Sequence, residues 1–78
     1  MNYTIAITEN VQTGKFVSID KTGNKYDVWY HGENVREYRT FDSMDEAYAV
    51  YEKLSKVVIF GLYSDDDKIK ILNGEKDI

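Results

Sequence analysis

His31 is the single histidine of this 78-residue chain, and there is no cysteine. With Glu33 two positions on, it offers a metal ion two ligands, whereas a structural zinc site needs four, usually Cys or His. Asp65, Asp66 and Asp67 could supply hard oxygen ligands, but the run lacks the spacing and the glycine of a calcium loop. It reads as a solvated turn. Nucleophilic catalysis needs a Ser or Cys beside a base that a third group holds. Ser18, Ser43, Ser55 and Ser64 have only His31 to share, and Ser43 already has a structural role. Acidic residues are common enough to form carboxylate pairs, yet none has a sequence environment that would tune it for acid–base work. No glycine-rich loop enters a helix, so a phosphate has no cradle. The expectation is a protein that is not an enzyme and has no metal and no cofactor.

Binding is the chemistry the composition favours. Seven tyrosines and one tryptophan are many for this length, and Tyr, Trp and Arg are enriched at interface hot spots. The same aromatics could equally fill the core of a small β-rich domain. A net charge of −4 and a pI of about 4.8 argue against direct nucleic-acid binding, which draws on clustered Lys and Arg. The longest apolar run, 57–63, is too short to span a bilayer, and no charged segment precedes an apolar run at the N-terminus. A cytoplasmic protein with a protein partner and no membrane association is expected, and the lack of cysteine fits a reducing compartment. A core this small supplies only about 3–5 kcal/mol, so a homodimer that buries more surface stays open.

The elements that must position any site are organised around residues 38–54. Ser43 is an N-cap, and Glu46 three residues later completes a capping box. Asp42, Asp45 and Glu46 put negative charge at the positive end of the helix dipole. Met44, Ala47, Tyr48, Tyr51 and Leu54 recur as one apolar stripe, with Asp45, Ala49, Glu52 and Lys53 opposite. Upstream, Tyr3, Ile5 and Ile7 alternate with polar or small residues as a first strand, and Val17 and Ile19 mark a second. Tyr26, Val28 and Tyr30 mark a third strand, and 35–41 a fourth. Turns at 10–14, at Thr22, Gly23 and Asn24, and at Gly32 and Glu33 connect them. Beyond the helix, 56–63 is apolar on both faces; its β-branched run and Gly61 favour a strand over a longer helix. Residues 64–67 read as a turn, 68–71 as a last strand and 73–78 as a frayed tail. The predicted fold is one α+β domain over 1–78. It is an antiparallel meander of about four strands packed by one helix over 43–55, followed by one or two strands.

The turns fix a register. Ile5, Ile7, Val17, Ile19, Tyr26 and Val28 share the face under the helix. Glu37 and Arg39 also fall on that face, which marks the fourth strand as an edge. On the other face Thr8, Phe16, Trp29 and Arg36 form one row, and Ala6, Ser18, Asp27 and Tyr38 the next. Phe16, Trp29, Arg36 and Tyr38 are therefore the candidate partner-binding or self-association patch, an aromatic island with small and polar neighbours. The competing placement lays 57–63 over this face and buries Trp29.

Phe41, Ser43, Glu46 and Ala47 give the pattern F-x-[ST]-x-x-E-A after a run of strands. This resembles the small sheet-plus-helix domains at the N-termini of phage integrases, which are basic and read DNA with their sheet. The present chain departs from them in its net charge and in acidic Asp20, Asp27 and Glu37. It also resembles, in size, acidity and tyrosine content, the small anti-CRISPR proteins of phages and mobile elements. The junction T-F-D-S-M-D-E-A over 40–47 is similar to the helix opening of a type I-F inhibitor of that class. That resemblance implies a stoichiometric inhibitor that occludes a nucleic-acid-handling host complex in the host cytoplasm and performs no chemistry. The alternative expectation is a nucleic-acid-binding regulator that uses its sheet face.

Overall fold

The computed structural model describes residues 2–78. Four strands, β1 (Asn2–Glu9), β2 (Phe16–Thr22), β3 (Lys25–His31) and β4 (Arg36–Phe41), are followed by helices α1 (Met44–Ile59) and α2 (Asp65–Leu72). The strands form an antiparallel sheet in the order β1-β2-β3-β4. The expected α+β class and four-strand meander are present, with two helices in place of one helix and a C-terminal strand pair.

Both helices pack on one face. Val17, Ile19, Val28, Tyr30 and Phe41 rise from the sheet to meet Ala47, Tyr51, Leu54, Val57, Val58, Ile71 and Leu72. Of the expected helical stripe, Ala47, Tyr51 and Leu54 are buried and Met44 packs at the margin. Tyr48 instead stays 37% exposed, its ring 5.5 Å from that of Tyr51. Ser43 caps α1 as its sequence requires, its hydroxyl accepting from the Glu46 amide at 3.2 Å. The Ser43 hydroxyl in turn donates a hydrogen bond to the Glu46 carboxylate at 3.1 Å.

The 56–63 segment is not a strand. Helix α1 runs on to Ile59, because continuing the helical repeat puts Val57 and Val58 into the core, each 2% exposed. Burial of two apolar side chains outweighs the few tenths of a kcal/mol by which β-branched residues disfavour a helix. Gly61 stops the helix. It sits at φ +64°, its amide donates to the Val58 carbonyl, and the Leu62 amide donates to that of Val57. This pair of bonds is a Schellman ending, in which the left-handed residue favours glycine. The expected turn at 64–67 is the start of α2, where the Ser64 hydroxyl accepts from the Asp67 amide and three aspartates fill the first turn. The expected strand at 68–71 lies within that helix. Lys68, Ile71 and Leu72 turn inward at helical spacing. The end of the chain is neither helix nor strand, and an exposed Lys53–Asp77 ion pair ties it to α1.

Two register differences matter for the site. The β3–β4 loop spans 32–35 rather than two residues, so Trp29 pairs with Tyr38 and His31 with Arg36. This slip is even and leaves each side chain on its expected face. At the β1–β2 connection Glu9 pairs with Phe16, so the expected register is off by one. A slip of one residue exchanges the two faces of a strand. Thr8 and Ala6 therefore lie beside Val17 and Ile19, and Ile7 points away from the helices and is 59% exposed. A bulge between Thr4 and Ala6 takes up Ile5 and returns Tyr3 to the helix side, opposite Lys21.

Candidate interaction face

The sheet face turned away from the helices is built in rows set by the register. Glu9, Phe16, His31 and Arg36 form one row, and Ile7, Ser18, Trp29 and Tyr38 the next. Thr4, Asp20, Asp27 and Thr40 form the third. Phe16 and Trp29, expected in a single row, are thus one row apart, and His31 fills the place between them. The Phe16 and His31 rings stack at 4.0 Å, and the Trp29 and Tyr38 rings at 4.6 Å. The Trp29 and His31 rings are 5.8 Å apart, which makes the four rings one continuous strip. The Arg36 guanidinium lies over the indole at 5.7 Å, within the range of a cation–π contact. All four expected patch residues are therefore on this face. The 57–63 segment lies with the helices on the opposite side and does not cover Trp29. Tyr38 is 53% exposed, Arg36 is exposed, and Trp29 and Phe16 are partly so.

His31 is the member of the strip that sequence reasoning left out, although its alternation with Tyr30 already put it on the side of Trp29. Burial among its neighbours, and then the Arg36 charge, lower its pKa below the ordinary 6.5, with Asp20 opposing. Both effects favour the neutral ring, which suits an aromatic stack.

Beside the strip the face turns acidic. Asp20 and Asp27 pair directly across β2 and β3. Asp27 is fixed by two hydroxyls, accepting from Thr40 at 2.7 Å and from Thr22 at 3.1 Å. The Oδ1 atom of Asp20 is buried and accepts no hydrogen bond among the described residues. A concavity of about 330 Å³ opens here, lined by Asn2, Tyr3, Thr4, Asp20, Thr22, Asp27 and Trp29.

A second cluster of titratable groups lies on the helix side. Asp65, the first residue of α2, accepts from the Tyr30 hydroxyl at 2.5 Å and from the Glu33 amide at 3.1 Å, and pairs with Lys15 at 3.0 Å. Lys68 is 2% exposed, with its ammonium 5.7 Å from the centre of the Tyr30 ring. Burial and the Lys15 charge lower its pKa against the pull of Asp65. Burial and the hydrogen bond to Asp65 hold the Tyr30 phenol well above its ordinary value. The Asp65 bonds link α2 to β3, to the 32–35 loop and to the start of β2, and the cluster works as a fastening. Among the described residues no group of three or more His, Cys, Asp or Glu side chains converges as a metal site. No helix is long and apolar enough to cross a membrane.

No protein-family model matches the chain, and neither a curated protein nor a solved structure matches it significantly. The class is therefore set by architecture alone: a four-stranded antiparallel meander backed by two helices, with one face of the sheet left bare.

Proposed function

We propose that this chain is a small, non-enzymatic protein-binding module that occludes its partner with the bare sheet face. The observation that carries the reading is the continuous strip of Phe16, His31, Trp29 and Tyr38, with Arg36 against the indole, on the side away from both helices. Aromatic and arginine side chains clustered on an exposed, otherwise polar face are the usual composition of an interface core. The likeness of the 40–47 junction to a phage anti-defence inhibitor supplies a partner class, a nucleic-acid-handling host complex met in the cytoplasm. Self-association through the same face is a further use of the strip.

A strip of stacked rings on a sheet also suits unpaired bases, which is what favours the second reading, a nucleic-acid-binding regulator. Charge weighs against it. Glu9, Asp20 and Asp27 lie on this face, and Lys25, at the end of the face, is paired with Asp42. The test is capture of partners from the native host by the wild-type chain and by the Trp29→Ala and Tyr38→Ala variants. A protein retained by the wild type and lost by both folded variants supports the module. Capture unaffected by either variant removes the face from the argument. Retention on heparin or on single-stranded DNA at low salt selects the nucleic-acid reading.

A further inference from the structure

The row nearest the 32–35 loop runs Glu9, Phe16, His31, Arg36 from β1 to β4. It has a carboxylate at one edge, a guanidinium at the other and two stacked rings between. Glu9 and Arg36 are both exposed. The described residues hold three ion pairs, Lys15–Asp65, Lys25–Asp42 and Lys53–Asp77, and neither residue takes part in them. Three strand spacings, about 14 Å, separate their backbones, so the two charges do not pair within one copy. The next row runs Ile7, Ser18, Trp29, Tyr38. Its ends are an aliphatic side chain 59% exposed and a ring 53% exposed, and its middle sets small Ser18 beside the indole. Turned end for end, each row complements itself. Opposite charges meet in the first row, and in the second apolar meets apolar and large meets small.

We infer that the bare face takes a second copy of this chain, about a two-fold axis that runs along the strands between β2 and β3. The inference rests on the reading of this face as the binding surface and names its occupant. A two-fold contact uses the same patch on both copies, so whatever residue meets a second is met by it in return. Here β1 of each copy lies over β4 of the other, and β2 over β3. Arg36 then reaches Glu9 of the other copy at both ends of the first row, and Phe16 covers His31. In the second row Tyr38 covers Ile7, and Trp29 fits over Ser18. The third row sets the limit of the contact. Asp20 and Asp27 would meet their own copies, so like charge keeps that row apart, and the twist of two facing sheets opens a gap there. Two rows make a contact at the low end of interface sizes, so the pair forms at high concentration and the dilute chain is monomeric.

Sedimentation equilibrium of the whole chain over a wide concentration range tests this, together with the Arg36→Glu and Glu9→Lys variants. The wild type is expected to show a reversible monomer–dimer equilibrium. Each variant turns both attractive pairs into repulsive ones and should weaken it about tenfold. Mixing the two variants in equal amounts should restore the wild-type affinity, because the mixed pair has opposite charges at both ends of the row. Both positions are exposed, and melting curves check that each variant folds. Trp29→Ala should abolish the dimer; if that variant does not fold, the mixture decides alone. A wild type that stays monomeric at millimolar concentration overturns the inference. So does a dimer that neither variant weakens, that the mixture does not restore, or that persists in folded Trp29→Ala. These failures are separable from failure of the binding face. A monomeric chain whose capture of a host protein is still lost in Trp29→Ala and Tyr38→Ala removes the second copy and keeps the face. A dimer that behaves as expected in a chain that captures no host protein keeps the inference and removes the occlusion of a foreign partner.

Discussion

The hydroxyl of Tyr30 donates to the carboxylate of Asp65 across 2.5 Å, joining the middle of the sheet to the first residue of α2. Tyr30 is fully buried and Asp65 only partly, so one bond spans the boundary between core and surface. It also explains Gly32, where an added Cβ would lie 2.7 Å from the Asp65 side-chain carbon. The 32–35 loop, the strand it leaves and the helix that follows are thus held by one carboxylate.

Tyr30→Phe removes the buried donor and leaves Asp65 with Lys15 and the Glu33 amide. The expected cost is about 1–3 kcal/mol in urea unfolding. Gly32→Ala should cost a comparable amount by displacing the same carboxylate. A double variant whose cost falls clearly short of the sum of the two would show that both act through Asp65. Strict additivity would show that they do not.

Asp65 also gives stability a pH dependence of known sign. Partial burial pushes its carboxyl up, but the Tyr30, Lys15 and Glu33 hydrogen bonds and the Lys15 charge outweigh this and leave it below the ordinary 3.8. A carboxyl that is more acidic when folded binds fewer protons folded than unfolded. Its contribution is therefore full above the unfolded pKa and is lost as pH falls through the folded one. Denaturant midpoints measured from pH 6 to pH 2 should fall more steeply for the wild type than for Asp65→Asn. Equal slopes would sink this assignment.

Tyr51→Asp or Leu54→Asp puts an unpaired charge where the wild-type side chains are 5% and 0% exposed. The penalty is several kcal/mol or more, comparable to the whole stability of a domain this size. Circular dichroism should show an unfolded chain at room temperature. A variant that melts like the wild type would mean that α1 does not pack by this face.

Gly61→Ala tests the ending of α1. The position has φ +64°, where an L side chain costs about 1–2 kcal/mol, while the space around it is open. A loss of that size is expected in thermal or urea melts. No loss would mean that the Schellman ending is not kept in solution.

Trp29 emission should be quenched by acrylamide in the dilute, free chain, since neither helix covers the strip. The quenching should weaken when a partner binds or when the chain self-associates. A Trp29 that is shielded in a chain shown by sedimentation to be monomeric would remove the strip as an exposed surface.

Much of this architecture is local in origin and was therefore legible in the sequence. Alternation over Tyr26, Val28 and Tyr30 determined which side chains of β3 face the core, and the Ser43 N-cap determined where α1 starts. The identity of the bare-face residues survived the wrong length for the 32–35 loop, because an even slip in register keeps each side chain on its face. The tertiary structure decided what local pattern leaves degenerate. Ile7 faces away from the helices because the β1–β2 connection is one residue longer than expected, a difference that turn residues do not encode and that reverses a strand. Lys68, Ile69, Lys70 and Ile71 alternate like a strand, while Lys68, Ile71 and Leu72 equally form one side of a helix. Packing of that side against α1, β3 and β4 selects the helix. The same holds for Val57 and Val58, whose intrinsic preference for a strand is smaller than the gain from burying both beneath the sheet. His31, Trp29, Asp20 and Asp27 were each visible as residues, but their grouping into one stacked strip beside one acidic hollow depends on register across three connections, which only the folded sheet fixes.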